Sequence, residues 1–139
     1  MGVQYKQGAD GGVGFEGKDS GNGSLQLGHT NYNVPVATTA QLIFYAQRSY
    51  VLDALIGRNF VLGTGGAATA AVWMAASGTA PTSGTQLHSG TFNLVGTLHT
   101  DQSLTLTTTQ IPAGYAVWVV FTGTATSAIG AISAIGRPA

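Results

Sequence analysis

Short apolar runs separated by turn residues fill the chain from about residue 38 onward. Leu104 and Leu106 alternate with Thr105 and Thr107, which is the period-two pattern of a half-buried strand. Between the runs lie turn signals such as Ile111-Pro112-Ala113-Gly114. The pattern predicts strands over residues 41–46, 50–56, 60–62, 69–76, 86–88, 92–98, 103–109, 115–122 and 130–135.

The two-residue spacing also predicts which side chains of each strand share a face. Leu42, Phe44 and Ala46 are expected on one face of their strand. Trp73 and Trp118 each sit inside an apolar run, so we expect them in the core rather than on a surface that stacks sugars. The Ala-rich segment 67–76 has helical propensity, but its Thr, Val and Trp residues favour a strand.

Eight or nine short strands in about a hundred residues predict an all-β fold, a jelly-roll sandwich of about eight strands. An immunoglobulin-type sandwich is the alternative. We assign residues 37–139 to this domain and residues 1–36 to an extended, Gly-rich N-terminal arm.

The arm is polar and punctuated by glycine, yet its apolar residues come in pairs two positions apart. An extended chain places each such pair on one face, which suits a strand added to another protein's sheet or laid in a groove. We therefore expect the arm to be ordered by a partner rather than by a core of its own. The predicted anchors are Val3, Tyr5, Val13, Phe15, Leu25, Leu27, Tyr32 and Val34.

Charge is scarce: five basic and five acidic residues among 139, with no Lys and no Glu after Lys18. A free-living domain usually carries about a quarter charged residues, and depletion of Lys and Glu is typical of protein interfaces. A neutral, hydroxyl-rich exterior without a partner is the alternative. Too few cations are present for a nucleic-acid surface, and no segment has the length or character of a membrane span or a signal peptide.

Motifs for chemistry are weak, so we expect no enzyme, no catalytic residue, no cofactor and no metal. Residues 12–17 spell G-x-G-x-x-G without a preceding strand, and the glycines at 63–66 are better explained as a loop. His88, His99, Ser89 and Asp101 contain the elements of a nucleophile, a base and an orienting carboxylate, but strand ends explain them better. The histidines lack metal-binding spacing.

Four segments of the body carry a resemblance to a known family. They are GTAPTSGT at 78–85, FNLVGT at 92–97, IPAGYAVW at 111–118 and GTATSAIG at 123–130. In these the body, roughly residues 40–138, resembles the jelly-roll decoration proteins of tailed-bacteriophage heads, whereas the arm resembles them only in composition.

The resemblance implies a virion capsid decoration or cement protein, made in the host cytoplasm and bound to the outer surface of the phage head. Its implied partners are the major capsid protein and further copies of itself, as a dimer or trimer at local symmetry axes. The resemblance implies no direct contact with nucleic acid or membrane. The alternative is a phage fibre or receptor-binding jelly roll that recognises a host surface glycan.

Overall fold

The computed structural model describes residues 23–33 and 40–139 and folds them into two packed antiparallel sheets. The predicted boundary after residue 36 lies outside the described residues. The all-β sandwich predicted from the sequence pattern is confirmed. The strands of the described residues are β1 Leu25–Asn33, β2 Ala40–Tyr45, β3 Tyr50–Val61, β4 Ala68–Ala76, β5 Thr85–Gln86, β6 Phe92–Asn93, β7 Asp101–Ser103, β8 Gln110–Ile111, β9 Tyr115–Gly123 and β10 Ile129–Pro138.

The strand order is that of a jelly roll. Sheet A runs β1-β10-β3-β7, with β8 also paired to β3, and sheet B runs β2-β9-β4-β5, with β6 also paired to β4. If β5 and β6 count as one interrupted strand, and β7 and β8 as another, each sheet has four strands. Apart from β4 and β5, neighbours within a sheet are then far apart in sequence, whereas the edge strands β1 and β2, which lie in different sheets, follow one another along the chain.

The core lies between the inner faces of the two sheets. Val117, Val119 and Phe121 of β9 are fully buried, and Leu52 and Ile132 face them from sheet A. Burying each such side chain contributes about 1.5–3 kcal/mol. The close packing is visible at Gly57, where an added Cβ would lie 2.8 Å from Cδ1 of Phe92.

The strand predicted over residues 103–109 is wrong for most of its length. β7 ends at Ser103, and the chain then crosses to the edge of sheet B, where Thr107 N and Thr108 N both donate to the carbonyl of Leu87. Leu104 and Leu106 still pack against the core. The alternation of Leu and Thr in this segment therefore reflects which side chains are buried, and it does not indicate a strand paired along its length.

The expected common face of Leu42, Phe44 and Ala46 is also wrong. The register between β2 and β9 shifts between Leu42 and Phe44, which places Ile43 inside and leaves Leu42 47% exposed. The ladder between β3 and β10 likewise passes over Asp53. In both strands one extra residue turns the following side chains to the other face.

Part of the predicted arm is a strand of this chain's own sandwich. β1 pairs with β10 along its length and is the edge strand of sheet A. Near the middle of β1, Gly28 passes so close to β2 that an added Cβ would lie 2.5 Å from the carbonyl oxygen of Ile43. The expectation that this stretch has no core of its own does not hold for residues 25–33, because Tyr32 fills the core beside Phe121.

Candidate interaction surface

The outer face of sheet B is apolar, and we call it the tryptophan face: Leu42 and Tyr45 of β2, Trp118 and Val120 of β9, and Trp73 of β4. Inner and outer positions alternate along β9, so Trp118 and Val120 lie on the side opposite the fully buried Val117, Val119 and Phe121. Both tryptophans are partly exposed and neither belongs to the core cluster. The expectation that they pack in the core is therefore wrong.

The register places the largest side chains of the tryptophan face in one row across the sheet. Leu42 pairs with Trp118, and Trp118 pairs with Trp73. Directly paired residues of an antiparallel ladder project on the same side of the sheet. On one side of this row lie Tyr45 of the edge strand, Ala116 and Ala75, of which Ala75 is only 2% exposed. On the other side Ala40, Val120 and Ala71 are partly exposed, so the face has a ridge of large side chains beside a row of smaller ones.

Exposure is greatest toward the edge of this face. Leu42 is 47% and Tyr45 55% exposed, whereas the tryptophans on the central strands are only partly exposed. No Asp, Glu, Lys or Arg occurs in the sequences of β2, β4, β5 or β9. The outer surface of sheet B is therefore a large apolar area with no charge along its strands.

Four of the five Asp and Arg side chains of the described residues lie on sheet A in two ion pairs, and the fifth, Arg48, lies in the loop between β2 and β3. Arg58 Nε donates to Asp101 Oδ1 at 2.7 Å, and both side chains are about half exposed. Arg137 pairs with Asp53, whose second oxygen accepts a hydrogen bond from Ser24 Oγ. That bond, followed by the bond from Arg137, holds the pKa of Asp53 below its ordinary value.

The Ser24–Asp53–Arg137 group fixes the point at which the preceding arm residues join the sandwich. Ser24 stands directly before β1, and its partners come from β3 and β10. The point at which residues 1–23 join the sandwich is therefore tied to two neighbouring strands of sheet A.

The predicted arm anchors divide into three groups. Val3, Tyr5, Val13, Phe15 and Val34 lie outside the described residues. Tyr32 is 2% exposed and Leu27 packs against the core, so in this arrangement both side chains serve their own sandwich. Leu25 is 55% exposed at the start of β1, where a partner can reach it.

Tyr32 belongs to a buried polar network that ties β1 to the rest of sheet A. Its hydroxyl donates to Asn59 Oδ1, and Asn59 Nδ2 donates to the carbonyl oxygens of Asn93 and Thr97 at 2.9 and 3.2 Å. Burial raises the pKa of Tyr32 to about 12. This network could not be predicted from the sequence, where Asn59 is only a polar residue that interrupts an apolar run.

A second, smaller apolar cluster lies at one end of sheet A, and we call it the end patch: Phe60, Val61, Leu98 and Ile129. Val61 pairs with Ile129, and Leu98 is bridged to Asn59 beside Phe60. Each side chain is between 37% and 44% exposed. The end patch is narrower than the tryptophan face because it draws on strand ends rather than on whole strands.

Two of the four residues considered for catalysis, His88 and Asp101, are held by other contacts. His88 Nε2 accepts a hydrogen bond from Val72 N at 2.8 Å, and Nδ1 lies 3.2 Å from the carbonyl oxygen of Ser89. Both ring nitrogens of this buried histidine therefore serve the backbone, and burial lowers its pKa. Asp101 is held by Arg58. His88 and Asp101 therefore contact groups other than those that an arrangement of nucleophile, base and orienting carboxylate requires.

Loops and possible metal sites add nothing to this chemistry. The glycines at 63–66 lie between β3 and β4, as predicted, and Gly65 has a φ of 78°. Among the described residues no group of three His, Cys, Asp or Glu side chains is arranged to hold a metal ion. The segments that the structure describes include no helix with the length and apolar character needed to span a bilayer.

Comparisons with known proteins find similarity only to solved structures, at low identity. No family model matches the chain, and no curated protein matches it. The chain is similar to chains in the solved structures of infectious bursal disease virus, with 13% identity and a TM-score of 0.36 for the Gx strain and 16% and 0.34 for the Gt strain. The likeness covers 83% and 91% of this chain but 31% and 36% of those chains, so this chain spans about a third of their length.

Proposed function

We propose that this chain is a non-enzymatic structural protein of a virus particle, a cement protein on the outer surface of a tailed-phage head. It bridges neighbouring major capsid subunits, associates with copies of itself and stabilises the shell. The observation that carries the proposal is the tryptophan face, since a large apolar surface on a small protein marks a site of protein interaction. The sequence resemblance narrows the class of partner to a capsid lattice.

The resembling segments frame sheet B, the sheet that carries the tryptophan face. Segment 78–85 follows β4, segment 111–118 turns into β9, and segment 123–130 follows β9. Gly78 and Gly114 have φ values of 84° and 89°, a conformation that favours glycine over residues with a Cβ. The resemblance therefore concerns both the strands of this sheet and the tight turns that set their positions.

A cement protein stabilises by mass action, because binding only the assembled lattice lowers the free energy of that lattice. Many weak contacts joined by one chain give high avidity. The arm supplies such contacts through Val3, Tyr5, Val13 and Phe15, and the ion-paired group at Ser24 gives it a fixed starting point. Few cations are available for DNA, so the capsid exterior is the surface we assign.

The test is attachment of purified protein to undecorated heads, measured by co-sedimentation and by imaging. Deletion of residues 2–22 leaves β1 in place, so we expect a folded sandwich that no longer attaches. Full attachment of this variant contradicts the assignment of the arm as a clamp. Failure of the intact protein to attach to any head contradicts the proposed function.

Single substitutions sharpen this test within the arm. Replacing Tyr5 or Phe15 by Ala should weaken attachment by about 1 to 4 kcal/mol per site, the range of buried aromatic anchors. Replacing Gln4 or Gln7 by Ala is the matched control, because it changes the same segment without removing an apolar anchor. Equal effects at both kinds of position would contradict specific anchoring.

The second candidate is a fibre or receptor-binding domain that recognises a host glycan. Trp73 and Trp118, partly exposed on neighbouring strands, favour it because aromatic rings bind sugar faces. Glycan-array binding that is lost in Trp73→Ala would support this candidate over the capsid cement. The capsid proposal predicts no such binding.

A further inference from the structure

We propose that two copies of this chain associate through their tryptophan faces, sheet B against sheet B. The inference names the surface for the self-association included in the proposed function. It does not depend on attachment to a head, so the two can fail separately.

The first argument is the sequence of the two central strands of sheet B. Residues 70–76 of β4 and 116–121 of β9 contain no polar side chain. A strand with one solvated face alternates between apolar and polar residues, whereas a strand covered on both faces is apolar throughout. The inner faces of β4 and β9 are covered by sheet A. Their composition indicates that the outer faces are covered as well.

The second argument is the size of the face. The strands β2, β9, β4 and β5 contain 6, 9, 9 and 2 residues, and at about 4.8 Å by 3.3 Å per residue they span about 400 Å². A standard specific interface buries about 800 Å² per partner, and weaker ones bury less. The outer face of sheet B is therefore large enough for a weak dimer that dissociates on dilution, whereas the end patch is smaller still.

The third argument is the shape of the face, which complements itself. The ridge of Leu42, Trp118 and Trp73 lies beside a row of smaller, partly exposed side chains, Ala40, Val120 and Ala71. A two-fold axis between ridge and row places the ridge of each copy over the smaller side chains of the other. Two sheets then pack face to face at about 10 Å, as the two sheets of one sandwich do.

The fourth argument is charge. In a two-fold interface a residue near the axis meets its own copy, so a charge there would meet a like charge. The strands of sheet B carry none. A different partner is usually selected by a complementary charge pattern, and this face offers no such pattern. A second copy is the occupant that these features favour.

The chain provides its own probe, because Trp73 and Trp118 are its only tryptophans and both lie on this face. The experiment follows tryptophan emission and mass together, by fluorescence and analytical ultracentrifugation, over a dilution series of the full chain in the absence of heads. We expect a dimer with blue-shifted emission that becomes a monomer with red-shifted emission on dilution.

Charged variants locate the interface. Leu42→Lys should raise the dissociation constant at least about tenfold, since it buries an unpaired charge at the interface. Phe60→Lys is the matched control in the end patch, because Phe60 is 44% and Leu42 47% exposed, and it should leave the dimer unchanged. If Leu42→Lys does not fold, Tyr45→Lys replaces it at a more exposed position, and circular dichroism checks the fold of each variant.

Three results would overturn the proposal. The first is a monomer at every concentration, whether or not it binds heads or glycans. The second is a dimer that Phe60→Lys weakens as much as Leu42→Lys does. The third is blue-shifted emission in a monomer that turns red after deletion of residues 2–22, since the arm of the same chain would then cover the face.

Discussion

The two sheets of this sandwich share one architecture and have opposite outer faces. The outer face of sheet A presents His29 and Asn31 of β1, Ser133 of β10 and the exposed ion pair of Arg58 with Asp101. The outer face of sheet B presents the tryptophan face and no charge. Both sheets bury their inner faces in the same core, so the difference is confined to their outer faces. The outer face of sheet A is typical of a surface in water, and the apolar outer face of sheet B is the one that we propose a second copy covers.

The comparison is sharpest within β9, where inner and outer residues are neighbours. Phe121→Ala removes a fully buried ring and should lower the free energy of unfolding by about 3–5 kcal/mol. Trp118→Ala removes a partly exposed ring and should lower the free energy of unfolding of the monomer by much less. Denaturation measured at concentrations below dimer formation gives both values. Equal losses would mean that Trp118 is part of the monomer's own core.

The second prediction concerns sheet A, where a polar network joins the edge strand to the core. Tyr32→Phe keeps the ring but leaves Asn59 Oδ1 without its buried donor, and should cost about 1–3 kcal/mol. The measurement is chemical denaturation of the variant beside Tyr45→Phe, whose hydroxyl belongs to a side chain that is 55% exposed. A loss no larger than that of the control would place β1 outside the cooperative fold, as an arm rather than a strand.

Much of the sandwich could be read from the sequence, because Val117, Val119 and Phe121 alternate with outward residues in the two-residue period of a strand. The outer tryptophans could not be placed in the same way. When both faces of a strand are apolar, as at residues 116–121, periodicity no longer tells inside from outside. On our proposal a second copy covers the outer face, and the sequence of one chain does not show it.

The edge strand β1 was missed for the opposite reason. Gly28, His29, Asn31 and Asn33 are typical of a loop, yet an edge strand with one solvated face carries such residues. Within β1 only Leu27 and Tyr32 pack against the core and so mark its buried side. The extra residues in β2 and β3, at Ile43 and Asp53, also could not be predicted from the two-residue period of a strand. Each of them shifts the alternation of inner and outer side chains by one position.

The smallest expected effect is a pH dependence that originates in sheet B. The ladder between β4 and β5 ends at Trp73 and Gln86, and the next donor along β4, Val72 N, is satisfied by His88 Nε2 instead. Protonation of His88 removes this acceptor and places a charge in a buried site. Burial lowers the pKa of His88 in the folded state from its ordinary value of 6.5, so the unfolded chain binds the proton more tightly.

Stability from neutral His88 is therefore complete above about pH 6.5 and declines as the pH falls below that value toward the lower folded-state pKa. Asp53 of sheet A, whose pKa is held below its ordinary 3.8, contributes stability that is lost only at still lower pH. The midpoint temperature of thermal unfolding should therefore fall between pH 7 and pH 5. We expect this fall to be absent in His88→Gln and to have its full size in Asp53→Asn. If the midpoint temperature of His88→Gln falls by the same amount, the acid sensitivity comes from groups other than His88.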